Sequence, residues 1–285
     1  MLATVYSATN WVLLRPVPGV RGTDRLISMR LGMKYSRASH SSWGISQPDL
    51  ATLQARLTTL DELAAMTPVD VDLRVHDAAP RRAAAELVTA NYFHVLRARV
   101  FAGRALAAED EADVAPRTTV VSYELAHAIT RDPGSAVGSD VRVNGILLRV
   151  VGVMEPGFRG AELPGSPLLW LPASALAIVD PSAKAGARSD RRFRVWQRMI
   201  GRRAANATPA EVEAAANGVM EAVRKEFFRN SYASTLLTFQ VFPGVGLDPA
   251  VRLSARQTLV LLMGAAAFLL CLAVANLTNL ALAHA

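Results

Sequence analysis

The chain has 285 residues, a formal charge of +7, and 51% hydrophobic against 19% charged residues. That length leaves room for one large domain or two smaller ones, with interior enough for a real core. The single cysteine, Cys271, excludes an intramolecular disulfide, and basic residues interleaved with acidic ones in most segments argue for a mixed solvated surface rather than a nucleic-acid interface.

The opening stretch MLATVYSATNWVLL carries no charge before Arg15. As a helix it would reach only about 21 Å, too short to span a bilayer, and it lacks the basic start of a signal peptide. It reads as an interfacial or core segment, or as the tail of a membrane helix. In SQPDLATLQARLTTLDELAAM (46–66), Ser46 and Asp49 resemble a capping box with Pro48 in the first turn, so a helix is predicted from about Pro48. From Val69 to Val75 the alternation puts Val69, Val71, Leu73 and Val75 on one face of a half-buried strand.

The clearest hairpin is VRVNGILLRVVGVM (141–154), where Asn144 and Gly145 form the candidate turn because both tolerate the positive φ of a type I′ reversal. Proline and glycine are dense from Pro156 to Pro172, marking an irregular connection, and Asp180 to Asp190 is the nearest candidate for a flexible segment. RFRVWQRMIG (192–201) reads as a strand with Phe193, Val195, Gln197 and Met199 on one face and Arg194, Trp196, Arg198 and Ile200 on the other. Thr208-Pro209-Ala210-Glu211 then supplies a capping box for a helix to about Phe227. A strand over roughly 235–242 leads to Asp248-Pro249, which caps a last helix that runs through Arg252 and Arg256 without a break.

Every Lys, Arg, Asp and Glu lies at or before Arg256. From Thr258 to Ala283 the polar side chains are Thr258, Asn276, Thr278 and Asn279, with weakly polar Cys271. About 39 Å of helix results, enough to cross a ~30 Å hydrocarbon core. Ala267, Cys271, Ala275, Asn279 and Ala283 recur every four residues, a ridge of small side chains that lets a neighbouring helix approach, and Asn276 adds a second amide near that face.

Reactive constellations are not legible. His40, His76, His94, His127 and His284 lie far apart without zinc-like spacing. Glu109, Asp110, Glu111 and Asp113 lack the glycine and final glutamate of an EF-hand and read as a solvated loop or helix start. Neither a phosphate-cradling G-x-x-x-x-G-K-[ST] loop nor a G-x-S-x-G elbow occurs. The expectation is a non-enzyme with no catalytic, cofactor-binding or metal-binding residues; if ATP drives its work, the nucleotide binds a partner subunit.

Several stretches together resemble the MacB-like and FtsX-like ABC transporter permeases, in particular their extracytoplasmic core domain. They are NWVLLRPVPG (10–19), the 46–66 stretch, VTANYFHVLRARVFAGRALAAEDE (88–111), VVSYELAHAI (120–129), DPGSAVGSDVRVNGILLRVVGVMEPGFRG (132–160), LLWLP (168–172), MIGRR before the TPAE helix, and GLDPAVRLSARQTLVLLMGAAAFLLCLAVANLTNLALAHA (246–285). The resemblance implies an α+β fold: a remnant of a first membrane helix and its exit in 1–19, and a core domain in 20–247. Porter-like parts would occupy about 20–100 and 190–247, with an inserted mainly β part at about 101–189. A stalk (248–257) and a transmembrane helix (258–283) would follow.

It further implies a non-catalytic permease subunit in the bacterial inner membrane, its main domain periplasmic or extracellular. The implied partners are an ABC ATPase subunit in trans that carries the ATP, other permease helices or a second copy forming a dimer, an envelope adaptor protein, and membrane lipid, with no nucleic acid. Relatives place a fuller first helix before this segment and two more helices after it, so the chain is expected to be a fragment. Arg252 and Arg256 before the apolar helix would by charge count put the domain in the cytoplasm; the collinear resemblance puts it outside. The alternatives are a tethered binding or signalling module that regulates an envelope partner, and, more weakly, a membrane-anchored enzyme.

Overall fold

Ser46 places its side-chain oxygen 3.2 Å from the Asp49 amide and starts helix α1 at Gln47–Arg56. Thr208 and Glu211 close a reciprocal capping box (2.7 and 3.3 Å) over helix α5, Pro209–Phe227. The hydrogen bonds from the Thr208 backbone and side chain hold the exposed Glu211 carboxyl below its usual range. The other short helices are α2 (Tyr92–Leu96), α3 (Tyr123–Ile129) and α4 (Leu176–Val179). The computed structural model describes residues 17–33, 43–112, 117–163, 165–227, 237–247 and 249–283; the uncharged N-terminal stretch, His40, Asp113, Asp248 and His284 lie outside them.

Ten strands share one sheet: β1 (Leu26–Met33), β2 (Leu60–Arg74), β3 (Arg81–Val88), β4 (Val100–Gly103), β5 (Thr118–Val121), β6 (Asp140–Val143), β7 (Ile146–Met154), β8 (Leu169–Pro172), β9 (Arg198–Arg203) and β10 (Leu237–Pro243). Their order is β10-β1-β9-β2-β3-β8-β5-β7-β4, with β6 against β2 and β7. The run from β10 to β3 is antiparallel, whereas β3–β8 and β5–β7 are parallel. Segment 101–189 thus joins the rest of the sheet through β3–β8 and β2–β6. Residues Val17–Gly246 form one compact unit.

Two apolar clusters cover the sheet. Ile27, Met29, Leu63, Ala65 and Met199 pack with Leu50 and Leu53 of α1 and Val212, Ala216 and Val223 of α5. Leu26, Ala64, Met66 and Ile200 belong to the other cluster, with Tyr92, Phe93, Phe158 and Trp170. Burial of alternate residues in different clusters explains why Leu63-Ala64-Ala65-Met66 shows no polar alternation. These helix-favouring residues extend β2 well upstream of the expected Val69, and the helix begun at Ser46 ends at Arg56. In the expected part of β2, Val71 and Leu73 are buried, Val69 is half-buried, and Asp70 and Asp72 face out.

The strand expected over 192–201 instead starts at Arg198. Before it, Trp196 makes an isolated bridge to Ile45, and its Nε1 donates to Gln47 Oε1 at 2.6 Å, so side-chain anchoring replaces the ladder there.

The Asn144-Gly145 turn joins β6 and β7 with φ 48° and 81°. Asn144 does more than reverse the chain. Its amide donates to Asp72 O (2.9 Å), its Oδ1 accepts from the Asp72 amide (2.8 Å), and its Nδ2 donates to Ile178 O (2.8 Å). Asn144→Gly keeps the positive φ and loses both side-chain bonds, so it is expected to cost about 1 kcal/mol in chemical denaturation. No loss at all would leave the clasp without energetic weight.

The segment from Leu247 onward belongs to a separate unit. Its helix α6 runs unbroken over Pro249–Ala283, past Gly264. Its side chains are described without a gap only over 260–276, and among the described residues no helix is long and apolar enough to cross a membrane.

Candidate functional site

Glu86 sits on β3 in the sequence RRAAAELV, and only 4% of it is exposed. Its Oε2 accepts from Tyr92 Oη (2.9 Å) and from Trp170 Nε1 (2.8 Å), and Tyr92 Oη accepts in turn from the Ala161 amide (3.0 Å). The Trp170 ring packs in turn with Phe93 and Phe158, the three ring centroids 5.1 to 6.0 Å apart. Gly160, at φ 79°, brings loop backbone so near that a Cβ there would stand 3.0 and 3.1 Å from the two Glu86 oxygens. Arg198, ion-paired with Glu162, lends a positive charge.

Burial pushes the Glu86 carboxyl up to about 7, against the opposing pull of Tyr92, Trp170 and Arg198. Desolvation, and then Glu86 itself, push the Tyr92 hydroxyl well above its usual range. A carboxyl held this way by two donors and a wall of rings suits a buried polar pin that binds β3, α2, β8 and the 156–161 loop to one another. In the sequence Glu86 is marked only as one acid in an otherwise apolar half-strand.

Of the acidic run, Glu109 is exposed on a short 3-10 helix over Ala108–Glu111, but Asp110 is drawn inside. Asp110 is only 2% exposed and accepts from Arg104 (2.6 and 2.9 Å), the Ala107 amide (2.8 Å) and Thr118 Oγ1 (2.9 Å). Burial alone would raise its pKa, but these donors hold the carboxyl below the usual range. Glu111 Oε1 accepts from the Ala90 amide at 2.7 Å, and burial raises its pKa. The acids staple the 104–111 turn to β5 and to the chain before α2, because the turn leaves backbone donors that need acceptors.

A cleft of about 200 Å³ opens between α1, the start of β2 and Asn91, lined by Leu53, Leu57, Glu62 and Leu63 among others. Glu62 there pairs with exposed His94 at 3.0 Å. Among the described residues no three His, Cys, Asp or Glu side chains gather as metal ligands. On α6, the candidate packing residues Ala267, Cys271, Ala275, Asn276 and Asn279 are all exposed, as are Leu261 (74%) and Phe268 (65%). The five candidates share one helix, and Asn144 and Gly145 stay at the β6–β7 turn.

The model of the MacB-like periplasmic core domain family matches residues 2–226. A search of curated proteins returns no match. Among solved structures, the periplasmic region of MacB from Actinobacillus actinomycetemcomitans superposes with a TM-score of 0.59 at 16% identity, covering 86% of this chain and 96% of that one. A domain of a protein described as a permease from Porphyromonas gingivalis gives 0.57 at 14% identity, covering 81% and 95%. The extracellular domain of YknZ, a noncanonic ABC-type transporter of Gram-positive bacteria, gives 0.51 at 14% identity, covering 75% and 99%.

Proposed function

Because the chain belongs to the MacB-like periplasmic core domain family, we propose that it serves as the permease-type component of an ABC transport or mechanotransmission system, with a non-catalytic outer domain moved by a separate ATPase. The observation that carries this reading is the family match over 2–226 together with the continuous helix Pro249–Ala283 that comes after β10. Its first turns hold Arg252 and Arg256 and the rest holds no charge, as suits a rigid stalk that continues into a membrane span. The small-residue ridge and the two amides, Asn276 and Asn279, suit packing against other permease helices or a second copy.

The test is capture of the full chain, tagged and extracted from its own membranes in mild detergent. An ABC ATPase subunit is expected to co-purify, and to be lost when residues 258–283 are deleted. A domain that keeps its full cellular effect after that deletion, with no ATPase ever captured, would favour the tethered regulatory module instead.

A further inference from the structure

Four arginines converge on the loop that leads into β1. Arg21 is matched by Glu155 through two bonds of 2.9 and 2.8 Å, and Arg25 by Asp61. Arg202 and Arg97 have no such partner among the described residues. Arg202, 3% exposed on β9, gives Nη1 and Nη2 to the carbonyls of Gly22 and Arg21 (2.6 Å each), and its Nε has no partner. Arg97 is exposed and ends α2 at φ 50°, a left-handed conformation that glycine adopts more readily.

The two guanidiniums meet beside Gly22: a Cβ there would lie 3.0 Å from Nη1 of both, so those nitrogens are no more than 6.0 Å apart, and only glycine lets them come so close. Besides desolvation, Arg97 is the main influence that depresses the Arg202 pKa; Glu62 and Asp24 oppose it, and neither is bonded to it. Like charges brought together, one of them buried and the other on strained backbone, are costly unless an anion joins them. We propose that Arg97, backed by the fixed charge of Arg202 across Gly22, binds a phosphate group.

A Cβ on Gly246 would lie 3.0 Å from Val17 Cγ2, and the Gly244 amide donates to Leu26 O at 2.8 Å. Gly22 therefore lies close to where the chain enters and leaves the Val17–Gly246 unit, and both a phospholipid headgroup and a free phosphate offer the chemistry the two arginines need.

The experiment titrates full chain in a maltoside detergent with inorganic phosphate, with dihexanoyl phosphatidylglycerol and with dihexanoyl phosphatidylcholine, read by calorimetry and ³¹P line broadening. Saturable binding is expected, weakened about tenfold by Arg97→Gly, since a charge-assisted bond to phosphate is lost. That variant suits the left-handed backbone, so its melting temperature without ligand should equal or exceed the wild type's, which separates lost binding from lost folding. Tighter binding of phosphatidylglycerol than of phosphate points to lipid; equal binding points to the free anion. Binding of neither, or equal losses in Arg97→Gly and in the exposed control Arg159→Ala, overturns the proposal.

Discussion

Glu86→Gln should flatten the pH dependence of stability between about pH 4.5 and 7. In the folded chain the carboxyl titrates at about 7, against 4.5 for the unfolded group. Within that window the native state holds a proton that the unfolded state has released, so stability falls as pH rises. The contribution is whole below 4.5 and lost once pH passes the folded value. At 1.36 kcal/mol per unit the loss is roughly 3 kcal/mol for this fully enclosed group. Gln keeps an oxygen for Tyr92 and Trp170 but takes no charge, so its stability curve should be flatter by about that amount in urea titrations from pH 4.5 to 8. Parallel curves would place the titration elsewhere. Glu86→Ala would strand two buried donors at every pH and destabilise throughout.

The same residue shows where reading a sequence stops. Caps and tight turns were legible at Ser46, at Thr208-Glu211 and at Asn144-Gly145, since each depends on chemistry within three or four residues. The length of α6 was legible for a similar reason: an uninterrupted run free of proline is a local fact. Glu86, in contrast, acquires its meaning from Tyr92, Ala161 and Trp170, which only the sheet order brings together. Arg97 and Arg202 are far apart in the chain and meet across Gly22. Asp110 looked solvated because a run of acids usually is, yet a turn with spare amide donors drew it inside.

The resemblance motifs acquire physical content in the same way. NYF supplies Asn91, whose Nδ2 donates to Leu63 O at 3.0 Å, the Tyr92 donor to Glu86, and the Phe93 ring. PGFRG supplies the Phe158 ring and the Gly160 approach, and LLWLP the Trp170 donor. Motifs separated in the chain prove to be parts of one buried pin around Glu86.

VVGV has a different cause and yields the second strong prediction. Gly152 lies in β7 opposite Gly103 of β4. A Cβ at Gly152 would stand 2.0 Å from Arg104 O and 2.9 Å from Arg104 C, and one at Gly103 would stand 2.3 Å from Val151 O. The obstacles are backbone, and the Arg104 amide is itself bonded to Val151 O at 2.9 Å, so the chain cannot retreat without breaking that bond. Arg104 also carries the ion pair to buried Asp110, which ties any retreat to the 104–111 staple. Gly152→Ala is therefore expected to cost about 3 kcal/mol, at the upper end for overpacking. Gly138 provides the contrast: it sits at φ 87° with nothing within 4 Å of its Cβ position, so Gly138→Ala should cost only about 1 kcal/mol, from backbone conformation alone. If the two variants unfolded at equal urea concentrations, close backbone approach would not be the reason for the glycine in VVGV. A larger loss at 152, accompanied by faster amide exchange at Val151 and Arg104, is the expected result.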